Sequence, residues 1–308
     1  MKALELLHPH NVSLLECVTS FLADRKRRSE SHTLAEAFDA YKATRGNWSA
    51  KYAGEIFYCC RTVTDLLDVP LSDITTQDIE TELAGIAPSN RNAKIKRLRS
   101  VFKEAVRQGW ITSSPADRLN LTVRKVQEVR IYAVGDVQAM LQRALDTDRM
   151  LVPFLAIGAF CGLRPENELA NLLWDDVHLD DERPQIVIRP ETSKTRRRRF
   201  VDVSPNCIAW IQAAGVPRVG KVFPASPKTL QRKRIALCAD NQEKEWKAIK
   251  WIPDGFRHTF CSAYLTLHES VDRLLLQTGH SDPAILWRHY YRSMTKADAV
   301  AFWAIAPG

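Results

Sequence analysis

The chain has 308 residues, 45% apolar and 26% charged, with a formal net charge of +8 and an isoelectric point of about 9.2. That length allows two domains with separate cores, and the composition is ordinary for a globular protein in water. No run of about 18 apolar residues occurs, so no membrane-spanning helix is expected, and Met1 to His8 lack a signal-peptide stretch. The positive balance suits a polyanion, because lysines and arginines on phosphates release condensed counterions. The seven cysteines (Cys17, Cys59, Cys60, Cys161, Cys207, Cys238 and Cys261) show no metal-ligand spacing and read as reduced thiols of a cytoplasmic protein.

Residues 1–30 form an N-terminal extension ending in the basic run Arg25-Lys26-Arg27-Arg28. From Thr33 the pattern is helical: Leu34, Ala37, Phe38 and Tyr41 repeat at i, i+3, i+4 and i+7. A second helix is expected over Ala50–Leu67 and a short one after Thr75-Thr76, running through Leu83. The clearest helix covers Ser89–Gln108, with Ile95, Leu98, Phe102 and Ala105 as its apolar stripe and Gly109 as its stop. Beside the stripe, Lys96, Arg99, Lys103 and Arg107 are spaced three, four and four and share one side. Such like charges repel by about 0.2–0.5 kcal/mol per pair, a cost that a DNA backbone would relieve. These residues are therefore candidate DNA contacts.

The polar segment 121–130 reads as a linker between a helical domain over 31–120 and a second domain over 131–308. In the latter, Val137, Met140, Leu141, Ala144 and Leu145 define one helix, and Leu151–Phe160 a uniformly apolar, buried one. Gln185–Arg189 and Phe200–Val203 alternate as short strands. The loop between them holds Lys194 and the run Arg196-Arg197-Arg198-Arg199, which is expected to touch a DNA backbone. The rest is mainly helical. The stretch Lys296–Trp303 predicts an amphipathic helix that docks either on its own domain or on a neighbouring protomer. The fold class is thus mainly α with a small β-sheet in the C-terminal domain.

Metal-free phosphodiester cleavage needs a nucleophile, cations on the non-bridging oxygens and a proton for the leaving 5′ oxygen. Arginine suits the oxygens, because its rigid fork matches two of them and keeps its charge. Tyrosine supplies a nucleophile and lysine an acid. The chain offers Arg164 in Gly162-Leu163-Arg164-Pro165, then Glu168-Leu169, Leu172, Trp174 and Asp176. Lys194 follows, then Arg257-His258-Thr259-Phe260, then Gly279-His280, and last Tyr290-Tyr291.

These motifs, in this order over roughly the last 180 residues, resemble the active-site signature of the tyrosine recombinase (phage integrase) family. The resemblance implies a two-domain clamp made of a helical core-binding domain and an integrase catalytic domain. It implies site-specific cutting and rejoining of DNA through a 3′-phosphotyrosine, with no metal, ATP or other cofactor. It implies double-stranded DNA with a specific recombination site as the partner, and a tetramer on two duplexes. Arg164, Lys194, Arg257 and His280 would be catalytic, Tyr290 or Tyr291 the nucleophile, and His258 a buried structural partner. A nucleoid-associated cytoplasmic protein of a mobile element is the expected setting.

Three positions depart from the family pattern. Asn167 stands where the family has Glu, and Glu168 comes one later; an inserted residue turns a helix position by about 100°, which the local turn must absorb. The tyrosine usually lies nine residues after the last His, where this chain has His289; Tyr290 and Tyr291 are ten and eleven. Three residues before Arg257, where a His or Lys donor is usual, stands Asp254. A carboxylate donates nothing to a phosphate and repels it by about 4 kcal/mol at about 4 Å with an effective dielectric of about 20. Asp254 is expected to point away, pairing with Arg257, with Lys247 or Lys250 as substitute donors. These departures keep two further readings open: a sequence-specific DNA-binding regulator that does not cut, and a type IB topoisomerase-like enzyme.

Overall fold

The computed structural model describes residues 13–29, 31–44, 48–122, 129–280, 282–290 and 293–308. Contacts divide the chain into two units, Met1–Val126 and Gln127–Gly308. Residues 123–128, most of the expected linker, lie outside the described residues.

The first unit is helical among its described residues: α1 (Leu14–Ser29), α2 (Leu34–Ala43), α3 (Ala50–Cys60), α4 (Thr76–Glu82) and α5 (Pro88–Arg107). Helices α2 and α4 begin at capping boxes, Thr33 with Glu36 and Thr75 with Asp78, which satisfy otherwise orphaned N–H groups. The helix expected over Ala50–Leu67 ends at Cys60 and gives way to a 3₁₀ turn over Thr64–Leu66. Leu34, Phe38, Ile56, Ile95, Leu98 and Phe102 form the core, each 0–1% exposed. Burying each such side chain contributes about 1.5–3 kcal/mol.

The second unit contains α6 (Val134–Thr147), α7 (Val152–Cys161), β1 (Val177–His178), β2 (Gln185–Ile188), β3 (Arg199–Asp202), α8 (Pro205–Ala214) and α9 (Pro227–Cys238). It continues with α10 (Gly255–His268), α11 (Val271–Thr278), α12 (Pro283–Tyr290) and α13 (Lys296–Trp303). The sheet is antiparallel in the order β1-β2-β3, with Ile186 opposite Val201 and Ile188 opposite Arg199. Strand β1 was not read from the sequence; two residues are too few to show alternation. Every residue of α7 is buried, which explains its lack of a polar face. Helix α13 packs on its own unit: Ala299 and Phe302 are 0% exposed, and the Phe302 ring lies 5.3 Å from that of Phe160. Of the two dockings left open for this segment, the structure has the one on its own domain. No helix among the described residues is long and apolar enough to cross a membrane.

Candidate active site

The site is built where α7, α10 and α11 end or begin close together. Helix α7 stops at Gly162, whose left-handed backbone (φ 63°) turns the chain toward Arg164. A Cβ at Gly162 would lie 2.3 Å from the Phe260 ring of α10, so only glycine fits this close approach. After it, the N–H groups of Leu169 and Ala170 bond to the carbonyls of Arg164 and Pro165, five residues back. Such widened, π-type turns accommodate one residue more than an α-turn. This is how the extra residue before Glu168 is absorbed.

The carboxylate of Glu168 is fully buried and accepts four hydrogen bonds. Arg164 gives two, from its backbone N–H (2.9 Å) and from Nη1 (2.7 Å); Arg199 gives two, from Nη1 (2.8 Å) and Nη2 (2.6 Å). Burial alone would raise the carboxyl's pKa. The Arg199 fork, then the Arg164 N–H and charge, outweigh it and hold the carboxyl below its ordinary value.

Arg257, in the first turn of α10, is 5% exposed. Its Nη1 donates to the Gly162 carbonyl (2.6 Å), and its Nη2 to the Thr278 carbonyl (2.7 Å) and to Nε2 of His280 (3.1 Å). The tautomer of His280 follows from its neighbours. The Thr278 hydroxyl donates to Leu274 (2.7 Å), so its oxygen accepts from Nδ1–H of His280 (2.9 Å), leaving Nε2 to accept from Arg257. Burial, then the charges of Arg257, Arg164 and Arg199, push the imidazole down to about 3. His280 is therefore neutral at physiological pH. Burial likewise lowers the Arg257 guanidinium from its usual value.

Tyr290 closes this group from α12. It is 3% exposed, its hydroxyl lies 2.9 Å from Nδ1 of His258, and its ring centroid is 6.4 Å from that of His280. Burial pushes its hydroxyl well above the ordinary phenol value; the Cys261 thiol, which hydrogen-bonds it, and Asp254 add to this, while Arg257 opposes it. Tyr291, the other candidate nucleophile, lies outside the described residues.

Several sequence expectations are revised. Asp254 is exposed in a left-handed conformation (φ 54°), and Arg257 spends its bonds on carbonyls and His280, so the expected Asp254–Arg257 pair is absent. Lys247 and Lys250 are exposed on the preceding loop, and no contact brings them to the site. Lys194 is exposed in the β2–β3 connection, with Arg196, Arg197 and Arg198 exposed beside it. Arg198 lies 4.9 Å over the Phe200 ring. Arg199, grouped with them on sequence, is not a surface residue: 10% of its side chain is exposed. His258, read as a structural partner, is bonded to the candidate nucleophile. On α5, Lys96 and Lys103 are exposed, whereas Arg99 holds the carbonyls of Ala116 (3.1 Å) and Leu119 (2.6 Å) and Arg107 is clasped by Glu104. The basic side of that helix therefore presents Lys96 and Lys103 to solvent, whereas Arg99 keeps its charge but spends N–H groups on carbonyls, and the charge of Arg107 is partly offset by Glu104. The sequence reading passed over the outward face of α9, where Lys228 and Arg232 are exposed; their spacing of four was the available signal.

No protein-family model matches the chain. The integrase of Enterobacteria phage 434 is 26% identical over 163 residues, which is 51% of this chain and 45% of that protein. The chain thus spans about half the length of this relative. A lambda integrase dimer bound to a COC′ core site has the same fold, with a TM-score of 0.68 at 18% identity over 89% of this chain and 82% of that one. A lambda integrase tetramer bound to a Holliday junction gives 0.68 at 18% over 87% and 80%. The Tn1549 transposon integrase in complex with circular intermediate DNA gives 0.64 at 16% over 88% and 99%. The chain thus has the fold of these integrases and is similar in sequence to one of them over about half its length.

Proposed function

We propose that this chain is a site-specific DNA recombinase that cuts and rejoins DNA through a 3′-phosphotyrosine, with neither metal nor ATP. The observation that supports this best is the gathering of Arg164, Arg257 and a neutral His280 at the C-terminal end of α11, beside Tyr290. Of the five N–H groups of each guanidinium, the bonds described leave three on Arg164 and two on Arg257 for phosphate oxygens. Two forks on the non-bridging oxygens stabilise the charge that builds as the Tyr290 oxygen attacks phosphorus. The phenol proton passes to an imidazole: His258 already touches the hydroxyl, and Nε2 of His280 is freed when Arg257 turns to the phosphate. The P–O5′ bond breaks, and Lys194 gives the leaving oxygen its proton. Attack by a partner strand's 5′-hydroxyl reverses the steps, so the covalent link conserves the bond. Because Tyr290 is covered, α12 must turn outward when DNA is engaged. Lys96, Lys103, Arg196, Arg197 and Arg198 hold the backbone of duplex DNA, with a smaller share from Arg99 and Arg107, and a tetramer joins two duplexes; the fold shared with a lambda integrase tetramer bound to a Holliday junction supports that assembly.

The exposed Asp254 in the usual donor position favours a second reading, a regulator that binds DNA without cutting. One experiment separates the readings. Purified protein is mixed with a library of nicked duplexes, and DNA covalently attached after denaturation is recovered and sequenced. We expect one enriched site, an adduct retained in Tyr291→Phe and lost in Tyr290→Phe. No adduct with any sequence supports the binding-only reading. Relaxation of any supercoiled plasmid, irrespective of site, supports the topoisomerase-like one.

A further inference from the structure

Three consecutive carbonyls at the end of α11 are each held by a different arginine. Arg199 Nε donates to Gln277 (3.1 Å), Arg257 to Thr278 (2.7 Å) and Arg164 to Gly279 (3.2 Å). Carbonyls at a helix C-terminus lack intrahelical donors, and the helix dipole favours cations there. Arg164 and Arg257 are the arginines of the motifs named above; Arg199 ends the basic run of the β2–β3 connection. It begins β3, at the root of the connection that bears Lys194, and its fork takes both oxygens of Glu168. Its side chain also runs over Gly279, where an added Cβ would meet Arg199 Cδ, Nε and Nη1 at 3.2–3.3 Å.

We infer that Arg199 is a positioning residue for phosphate transfer: it ties the Lys194 connection to Arg164 and to the end of α11 that presents His280, and it neutralises Glu168 so that Arg164 keeps its charge for the phosphate. Glu168 with Arg164 alone is a neutral pair, which offers a phosphate little; with Arg199 the cluster carries one net positive charge. An ammonium in place of the guanidinium cannot hold two carboxylate oxygens and a carbonyl in one plane. Among the described residues, the groups that face His280 are Arg257, Arg164, Arg199, His258, the Tyr290 ring and the Thr278 hydroxyl, and of these Arg199 alone belongs to the hairpin.

The inference rests on the strand-transfer reading above, so its test has one arm that does not. Full-length wild type, R199Q, R199K and E168Q/R199Q are compared. The first arm follows the His280 imidazole nitrogens by NMR across pH. In R199Q the His280 midpoint rises by one pH unit or more, because a cation is lost and Glu168 is left exposed to the imidazole; in R199K it stays near the wild-type position. The second arm measures single-turnover cleavage of the DNA site recovered by covalent trapping, at saturating DNA. R199Q cleaves about 100-fold more slowly with DNA affinity within threefold of wild type. R199K is at least tenfold slow despite its charge. E168Q/R199Q recovers at least tenfold over R199Q, because Arg164 regains its net charge, a rescue that a merely structural role does not produce. If R199Q does not fold, R199K and the double variant decide the matter. An unmoved His280 midpoint in R199Q, or cleavage within threefold of wild type in R199Q or R199K, overturns the proposal. A raised midpoint with no DNA ever trapped sinks the strand-transfer reading alone.

Discussion

Replacing Glu168 by Gln tests the centre of the site. The change keeps the side-chain shape but turns one oxygen into an NH₂ group and removes the charge. Oε1 receives Nη1 of both Arg164 and Arg199; Oε2 receives the Arg164 backbone N–H and Nη2 of Arg199. Whichever way the amide sits, its NH₂ faces two donors. Two charge-assisted bonds are lost, at about 1.5–3 kcal/mol each, so the cost is about 3–6 kcal/mol. That agrees with the roughly 3–5 kcal/mol for breaking one side of a buried ion pair. Urea unfolding followed by tryptophan fluorescence reads mainly the second unit, which holds Trp174, Trp210, Trp246, Trp251, Trp287 and Trp303. With a slope of about 2 kcal/mol per molar urea, the midpoint should fall by about 1.5–3 M. The pH dependence has a definite sign. The Glu168 carboxyl is held below its unfolded value of 4.5, so the unfolded state takes up its proton first. Its contribution is complete above pH 4.5 and drains away as pH falls through the lowered value. The gap between wild type and E168Q should therefore be constant near neutrality and narrow below about pH 4.5. A gap under 1 kcal/mol at pH 7, or one that acid does not narrow, would refute the four-bond clamp.

Gly162→Ala puts a methyl 2.3 Å from Phe260 in a left-handed backbone. Strain and overpacking together should cost about 2–5 kcal/mol, or about 5–15 °C in a thermal melt of a unit this size; a shift under 2 °C would show that Phe260 yields freely. Phe302→Ala should cost about 3–5 kcal/mol if α13 packs on its own unit as described, whereas unchanged stability would place that helix elsewhere, such as on a neighbouring copy. Asp254→Asn keeps a residue that tolerates left-handed backbone and removes a charge that opposes Tyr290 ionisation. Single-turnover cleavage should rise about two- to tenfold, the tenfold corresponding to one pKa unit; slower cleavage would mean that the carboxylate assists the reaction.

Much of this molecule was written locally. The apolar period of α5, the capping boxes of α2 and α4, the unbroken apolar run of α7 and the Gly162-Leu163-Arg164 turn are each decided within a few residues. So was the resemblance to the tyrosine recombinase family, because it rests on short motifs in fixed order. What the sequence by itself determined is therefore most of which residues are helical, which face inward and which side chains are candidates for the site. Partnership was not legible, because partners lie far apart in sequence. Arg199 looked like the last member of a solvated run and is a buried fork on Glu168, 31 residues away. Arg99 shared a basic helical side and serves loop carbonyls instead. His258 touches Tyr290, 32 residues on, and the extra residue before Glu168 vanishes into bonds spanning five residues. Only the tertiary structure decided which cations face solvent, which are spent on carbonyls and which titration state His280 adopts. Those properties depend on burial and on charges converging from several helix ends, and no periodicity along the chain encodes that convergence.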